Sequence, residues 1–148
     1  MPGYTDGLVV EVGAEKQDED VAADVLDLEC PTGAIVMEFG IIQTEVGAGT
    51  APVVALDLSS SVTEGDRTEI ATITPSTTQA AGTRVRSSAV DTQGRPKFPL
   101  NVPHGGRVTL EHKTAGTATG AYKPYAVVKY TGGNAVTATA SVVTEAAS

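Results

Sequence analysis

Gly106-Arg-Val-Thr-Leu-Glu-His112 decides the fold. Val108 and Leu110 alternate with Arg107, Thr109 and Glu111, a period of two that puts the apolar pair on one face of a strand. Pro103-His-Gly-Gly106, immediately before it, is a strong turn signal. Three other runs share the texture: Pro52-Val-Val-Ala-Leu-Asp-Leu58, Thr68-Glu-Ile-Ala-Thr-Ile-Thr74 and Tyr125-Ala-Val-Val-Lys-Tyr130. Each clusters or alternates apolar residues and is flanked by Gly, Pro, Ser or Asp.

Working outward, strands are expected over 53–58, 67–74, 82–90, 98–102, 107–112, 122–130 and 136–143. Pro75 closes the second of these because it has no N–H for the ladder. Ala34-Ile-Val-Met-Glu-Phe39 and Ile41-Ile-Gln-Thr-Glu-Val46 meet at Gly40, where the glycine suggests a bulge or bend. Residues 21–30 fit two periods: Val21, Val25 and Leu28 a helix, Leu26, Leu28 and Cys30 a strand. The β surroundings favour the strand. About eight or nine strands, spaced at roughly ten residues, give an all-β β-sandwich or jelly-roll-like domain over residues 21–148.

Residues 1–20 are expected to form an extended acidic N-terminal arm. Gly3, Gly7 and Gly13 punctuate it, and Lys16-Gln-Asp-Glu-Asp20 offers no core side chain. Leu8-Val-Val-Glu-Val12 is apolar enough to add as a strand. Leu8, Val9, Val10, Val12, Asp18, Glu19 and Asp20 are therefore the candidate contacts with a neighbour.

The 148 residues suffice for one domain with a core, and 41% apolar with 19% charged residues lies in the globular range. Two Phe, four Tyr and no Trp leave the core to aliphatic side chains, so burial between identical subunits would add stability. No run approaches the roughly 20 apolar residues of a membrane helix. A secretory signal is not expected at Met-Pro-Gly-Tyr-Thr-Asp, and synthesis in a cytoplasm is. Cys30, the single cysteine, reads as a small buried hydrophobe.

Charge is divided along the chain. Residues 1–74 hold fifteen acids and two bases (−13), and residues 75–148 hold three acids and eight bases (+5), which together give −8. Interleaved strands can neutralise this within one subunit; alternatively, an acidic edge of one copy meets a basic edge of the next in a head-to-tail ring. Nucleic acid is not an expected partner, since the basic residues are dispersed singly and lack aromatic platforms.

Reaction chemistry is not evident. His104 and His112 flank a turn and a strand, and read as a turn residue and a half-exposed strand residue. Ser59, Ser60 and Ser61 lie on no nucleophile elbow. Acid pairs such as Glu64/Asp66 and Asp18/Asp20 have the chemistry to act as acid and base, as in a weak hydrolase using Glu64 or Asp66, or to ligate calcium, but Glu64-Gly-Asp66 is short of a calcium loop's ligand count and reads as a solvated turn. Gly116 and Gly120 precede no Gly-Lys-Ser/Thr. No cofactor, metal or catalytic residue is expected. Tyr122 and Tyr125, flanking Lys123-Pro124, are a candidate aromatic platform for a sugar or, more simply, strand-end packing.

From residue 33 onward the succession resembles small tailed-phage structural proteins. The matching segments are Val36-Met-Glu-Phe-Gly-Ile-Ile, Thr50-Ala-Pro-Val-Val-Ala-Leu-Asp-Leu, Phe98-Pro-Leu-Asn-Val-Pro-His-Gly-Gly-Arg-Val-Thr-Leu and Thr117-Ala-Thr-Gly-Ala-Tyr-Lys-Pro-Tyr-Ala-Val-Val-Lys-Tyr. The pattern is similar to capsid decoration (cement) proteins and to some head or tail appendages with jelly-roll-like domains. The resemblance implies a non-enzymatic homotrimer on the exterior of a virion, clamping neighbouring subunits of the major capsid protein. The alternative is a receptor- or glycan-binding appendage domain.

Overall fold

The computed structural model describes residues 7–60, 67–75 and 80–131. Among them are ten strands and no helix: β1 (Val9–Val12), β2 (Lys16–Gln17), β3 (Ala23–Cys30), β4 (Ala34–Glu45), β5 (Val53–Ser59), β6 (Thr68–Ile73), β7 (Arg84–Arg86), β8 (Leu100–Val102), β9 (Gly106–Thr114) and β10 (Ala121–Tyr130). They form two antiparallel sheets. Sheet A runs β1-β10-β4-β7, with short β2 beside β10 and short β8 beside β4; sheet B runs β3-β9-β5-β6.

Every connection among the eight principal strands crosses between the sheets, except the β5–β6 hairpin. Two four-strand orders wound in this way are the double Greek key of a jelly roll. The expected fold is therefore the observed one. The strand expected over 136–143 lies outside the described residues.

The core sits between the sheets. From sheet A, Val36, Phe39 and Ile41 of β4 and Tyr122, Ala126 and Val128 of β10 face inward. Leu28 of β3, Val54 and Leu56 of β5, and Val108 and Leu110 of β9 meet them from sheet B. Alternation in the β9 sequence sets Val108 and Leu110 inside and Arg107 and Glu111 half-buried outside, while Thr109 between them is buried and donates to Asp27 at 2.8 Å. Residues 21–30 resolve as a strand because Ala23–Cys30 finds a complete partner in β9, from Ala23 opposite His112 to Cys30 opposite Gly106. Gly33, at φ +90°, turns the chain directly into β4.

Two expectations need correction. Gly40 is neither bulge nor bend: β4 runs through it, with Tyr125 opposite on one side and Arg86 on the other. Its role is close approach, since a Cβ there would press on the Val85 carbonyl oxygen and lie 2.7 Å from the Tyr125 hydroxyl. The register shifts between β4 and β10 fall instead beside Ala121/Tyr122 and Val127/Val128. The strand expected over 82–90 is regular only at Arg84–Arg86.

Candidate interaction edges

The N-terminal segment lies along sheet A. β1 pairs antiparallel with β10, Val9 opposite Val128 and Val12 opposite Tyr125. Gly13 N–H continues the ladder by donating to the Pro124 carbonyl at 2.8 Å. β2 then pairs with Ala121 and Tyr122. Along the described residues no strand pairs with the other side of β1, so its outer backbone groups are open to a further strand.

The side chains on that edge are apolar and exposed. Leu8 is 56% exposed, Val9 41%, Val10 58% and Val12 45%. Val10 and Val12 share the outward face with Val127 and Tyr125, while Val9 and Glu11 turn toward the core side. Glu11 accepts a hydrogen bond from the Tyr130 hydroxyl at 2.7 Å. No lysine or proline blunts the strand, although edge strands are ordinarily protected in that way.

A buried clasp anchors the chain just beyond this edge. Asp18 N–H donates to the Gly120 carbonyl at 2.9 Å, and Gly116 N–H donates to the Asp18 carbonyl at 2.8 Å. His112 Nε2 lies 2.9 Å from the Asp20 carbonyl oxygen. Because a carbonyl only accepts, the proton sits on Nε2, which leaves Nδ1 to accept from the Tyr122 hydroxyl 2.5 Å away. Burial pushes the His112 pKa down, in keeping with a neutral ring. His112 is therefore fully buried rather than half-exposed; β9 turns it inward beside Leu110.

The acids expected to contact a neighbour separate in space. Glu19 is exposed and Asp20 half-buried, its carboxylate receiving Gln17 N–H at 3.1 Å. Asp18 is only 2% exposed, so its side chain cannot reach a partner. Burial first, then the charge of Glu19, raises its pKa. Its backbone holds the fold; the exposed acids of this edge are Glu15 and Glu19.

The opposite edge of sheet A is basic. Arg84 and Arg86 of β7 are 59% and 65% exposed and share one carboxylate, Glu38, at 3.5 and 3.9 Å. That carboxylate also receives the Tyr125 hydroxyl. Glu38 is spread over two guanidinium groups and a phenol, so this edge keeps net positive charge. Between residues 80 and 102 stand Arg84, Arg86, Arg95 and Lys97 against Asp91 alone; between 7 and 20 stand five acids against Lys16. Sequence reasoning could not place these two groups on opposite edges of one sheet, because neither pairs with the other.

Tyr122 and Tyr125 do not form a platform. They are 0% and 2% exposed, Tyr122 inside the core against His112 and Tyr125 lying over Gly40 on the outer face. A ring buried in its own sheet has no face to stack on a sugar. The strand-packing reading of this pair holds.

On the outer face of sheet B the bases are paired within the chain, with acids in excess. Arg67 bonds Asp57 at 2.8 Å and Asp24 at 2.5 Å, and stands 3.5 Å from Glu111. Arg107 faces Asp27 at 3.5 Å, and Lys113 pairs with Glu69. Bases of the second half of the chain thus meet acids of the first, as do Arg84 and Arg86 with Glu38. Much of the sequence's charge division is resolved inside one subunit, but sheet A's two edges retain opposite signs.

Among the described residues, those singled out for reaction chemistry stand apart from one another. Ser59 is buried, Cys30 is buried with its thiol pushed up to about 12, chiefly by burial, and His104 sits exposed on the turn before β9. Among the described residues no group of three or more His, Cys, Asp or Glu side chains is placed to hold a metal ion. Ser61, Glu64 and Asp66 lie outside the described residues.

No family model matches the chain, and no curated protein matches it in sequence. A chain in the structure of infectious bursal disease virus, Gx strain, superposes with a TM-score of 0.37 at 15% identity, over 86% of this chain and 33% of that one. This chain therefore spans about a third of the length of that chain.

Proposed function

We propose that this protein is a structural component of a virion: a non-enzymatic decoration protein that sits as a homotrimer on the exterior of a phage capsid and clamps neighbouring major capsid subunits. The observation that carries the reading is the apolar, unpaired β1 edge, held in place by a buried clasp. Three exposed valines on an open strand, with exposed Leu8 just before it, are costly to leave in water and are suited to a partner that completes the sheet. Jelly rolls recur in viral capsid and lectin domains, so the fold is compatible with this role without specifying it. The resemblance over residues 33–130 gives the role its particular form.

Decoration works through number. Each copy makes modest contacts, and many copies on one shell hold it collectively against the pressure of packaged DNA. The acidic balance of the chain, −8, keeps it from adhering to nucleic acid. The glycan-binding alternative loses its aromatic platform with the burial of Tyr122 and Tyr125.

Co-sedimentation of the full chain with expanded tailed-phage shells stripped of decoration tests the reading. Saturable binding that is lost in the Val10→Lys/Val12→Lys variant is the expected result. Failure to pellet with any shell, combined with binding on a glycan array, would replace it with the appendage reading.

A further inference from the structure

We infer that the two edges of sheet A are partners for each other between copies: β1 of one subunit adds to β7 of the next, head to tail. This rests on the reading above only in taking the β1 edge as a contact surface, and it names the occupant as a second copy of this chain. Three features carry it.

The first is strand direction. β1 is antiparallel to β10, β10 to β4, and β4 to β7. A neighbour in the same orientation therefore presents its β1 antiparallel to β7, and the ladder continues without inverting a subunit. The second is charge. The β1–β2 edge carries exposed Glu19 and exposed Glu15, the latter also accepting from the Thr44 hydroxyl of β4, and the β7 edge carries Arg84 and Arg86, which share a single acid in their own chain. A β1 edge against another β1 edge would bring acids together, and two β7 edges would bring arginines together. Only the heterologous pairing joins opposite signs. The third is weak protection: β1 has no lysine or proline, and its one charge, Glu11, is engaged by the Tyr130 hydroxyl, while the arginines of β7 repel another β7.

A heterologous contact of this type closes into a ring or extends into a filament, depending on the rotation between copies. Sheet twist supplies a rotation at every step. A closed trimer is the arrangement consistent with the proposed decoration role.

The test measures the solution mass of the full chain by light scattering, at low and high salt, beside shell co-sedimentation. Arg84→Glu/Arg86→Glu and Glu15→Lys/Glu19→Lys are each expected to weaken self-association by at least about tenfold. The variant carrying all four substitutions reverses both edges and is expected to associate like the original. Its recovery also shows that the partial variants had not merely misfolded. A defined oligomer unmoved by either pair of substitutions, or left broken in the fourfold variant, overturns the inference. So does a protein that is monomeric at every concentration. Shell binding is scored separately: a monomer that pellets with shells removes the inference and leaves the decoration reading, and a salt-sensitive ring that ignores shells does the reverse.

Discussion

The outer faces of the two sheets treat charge in opposite ways. On sheet B, Arg67 sits among Asp24, Asp57 and Glu111, and Arg107 and Lys113 each have an acid within reach. On sheet A, two arginines share one glutamate at one edge, and bare valines border exposed acids at the other. On sheet B, Arg67, Arg107 and Lys113 each already hold an acid of their own chain, so a new contact to them must first displace an existing one. A face with an open ladder, exposed aliphatics and uncompensated charge gains from each. The contrast is the basis for proposing sheet A as the side that meets partners.

The largest way to break the contrast is to damage sheet A itself. Gly40→Val forces side-chain atoms against the Val85 carbonyl and the Tyr125 ring, separating β7 from β4. A destabilisation of about 3 kcal/mol in chemical denaturation is expected, together with loss of self-association. An unchanged midpoint would show that β7 is not held by close approach at this glycine.

Sheet B breaks next. Arg67→Met leaves Asp57, 4% exposed, with Asp24 and Glu111 nearby and their common cation gone. Removing one partner of a buried pair costs more than the pair contributes, here about 2–3 kcal/mol, while the oligomeric mass stays unaltered. A change in mass without a change in stability would invert the assignment of the two faces.

Tyr122→Phe removes the donor to His112 Nδ1 and leaves a buried ring nitrogen unpaired. About 1–2 kcal/mol is expected, with faster amide exchange at Asp18 and Asp20, where the clasp holds the N-terminal segment. Equal exchange in both proteins would remove the clasp from the account.

A smaller effect concerns acid. Burial, followed by the hydrogen bond and charge of Asp57, holds the Glu111 carboxyl at about 7 rather than 4.5. The folded protein keeps a proton that the unfolded chain releases, so from pH 4.5 toward 7 this group's contribution to stability is lost. Thermal midpoints followed over that window should decline less in Glu111→Gln than in the original; parallel curves would contradict the shift. Least of all, Lys113→Ala removes an exposed ion pair with Glu69, and its unfolding midpoint should match the original.

What was legible in the sequence is what depends on neighbours in sequence. The alternation over 106–114 and the turn residues around β5, β6, β9 and β10 specify strands locally, and together they point to a sandwich. Gly40 misled because its reason lies across the sheet, in Tyr125, eighty-five positions away. His112 and Tyr122 likewise become inward partners only when β9 and β10 cross from one sheet to the other. The valines of β1 were legible as a strand but not as an edge, since edge position depends on β10 having β4 on its other flank. Sequence showed the two charge groups, and only topology set them at opposite ends of one sheet.

Backbone hydrogen exchange at low and high protein concentration tests the central claim most directly. The account predicts that amides of Leu8–Val12 and Arg84–Arg86 gain protection together as concentration rises, while those of the sheet B edges, β3 and β6, do not change. Protection appearing at β3 or β6, or at neither edge of sheet A, would contradict it.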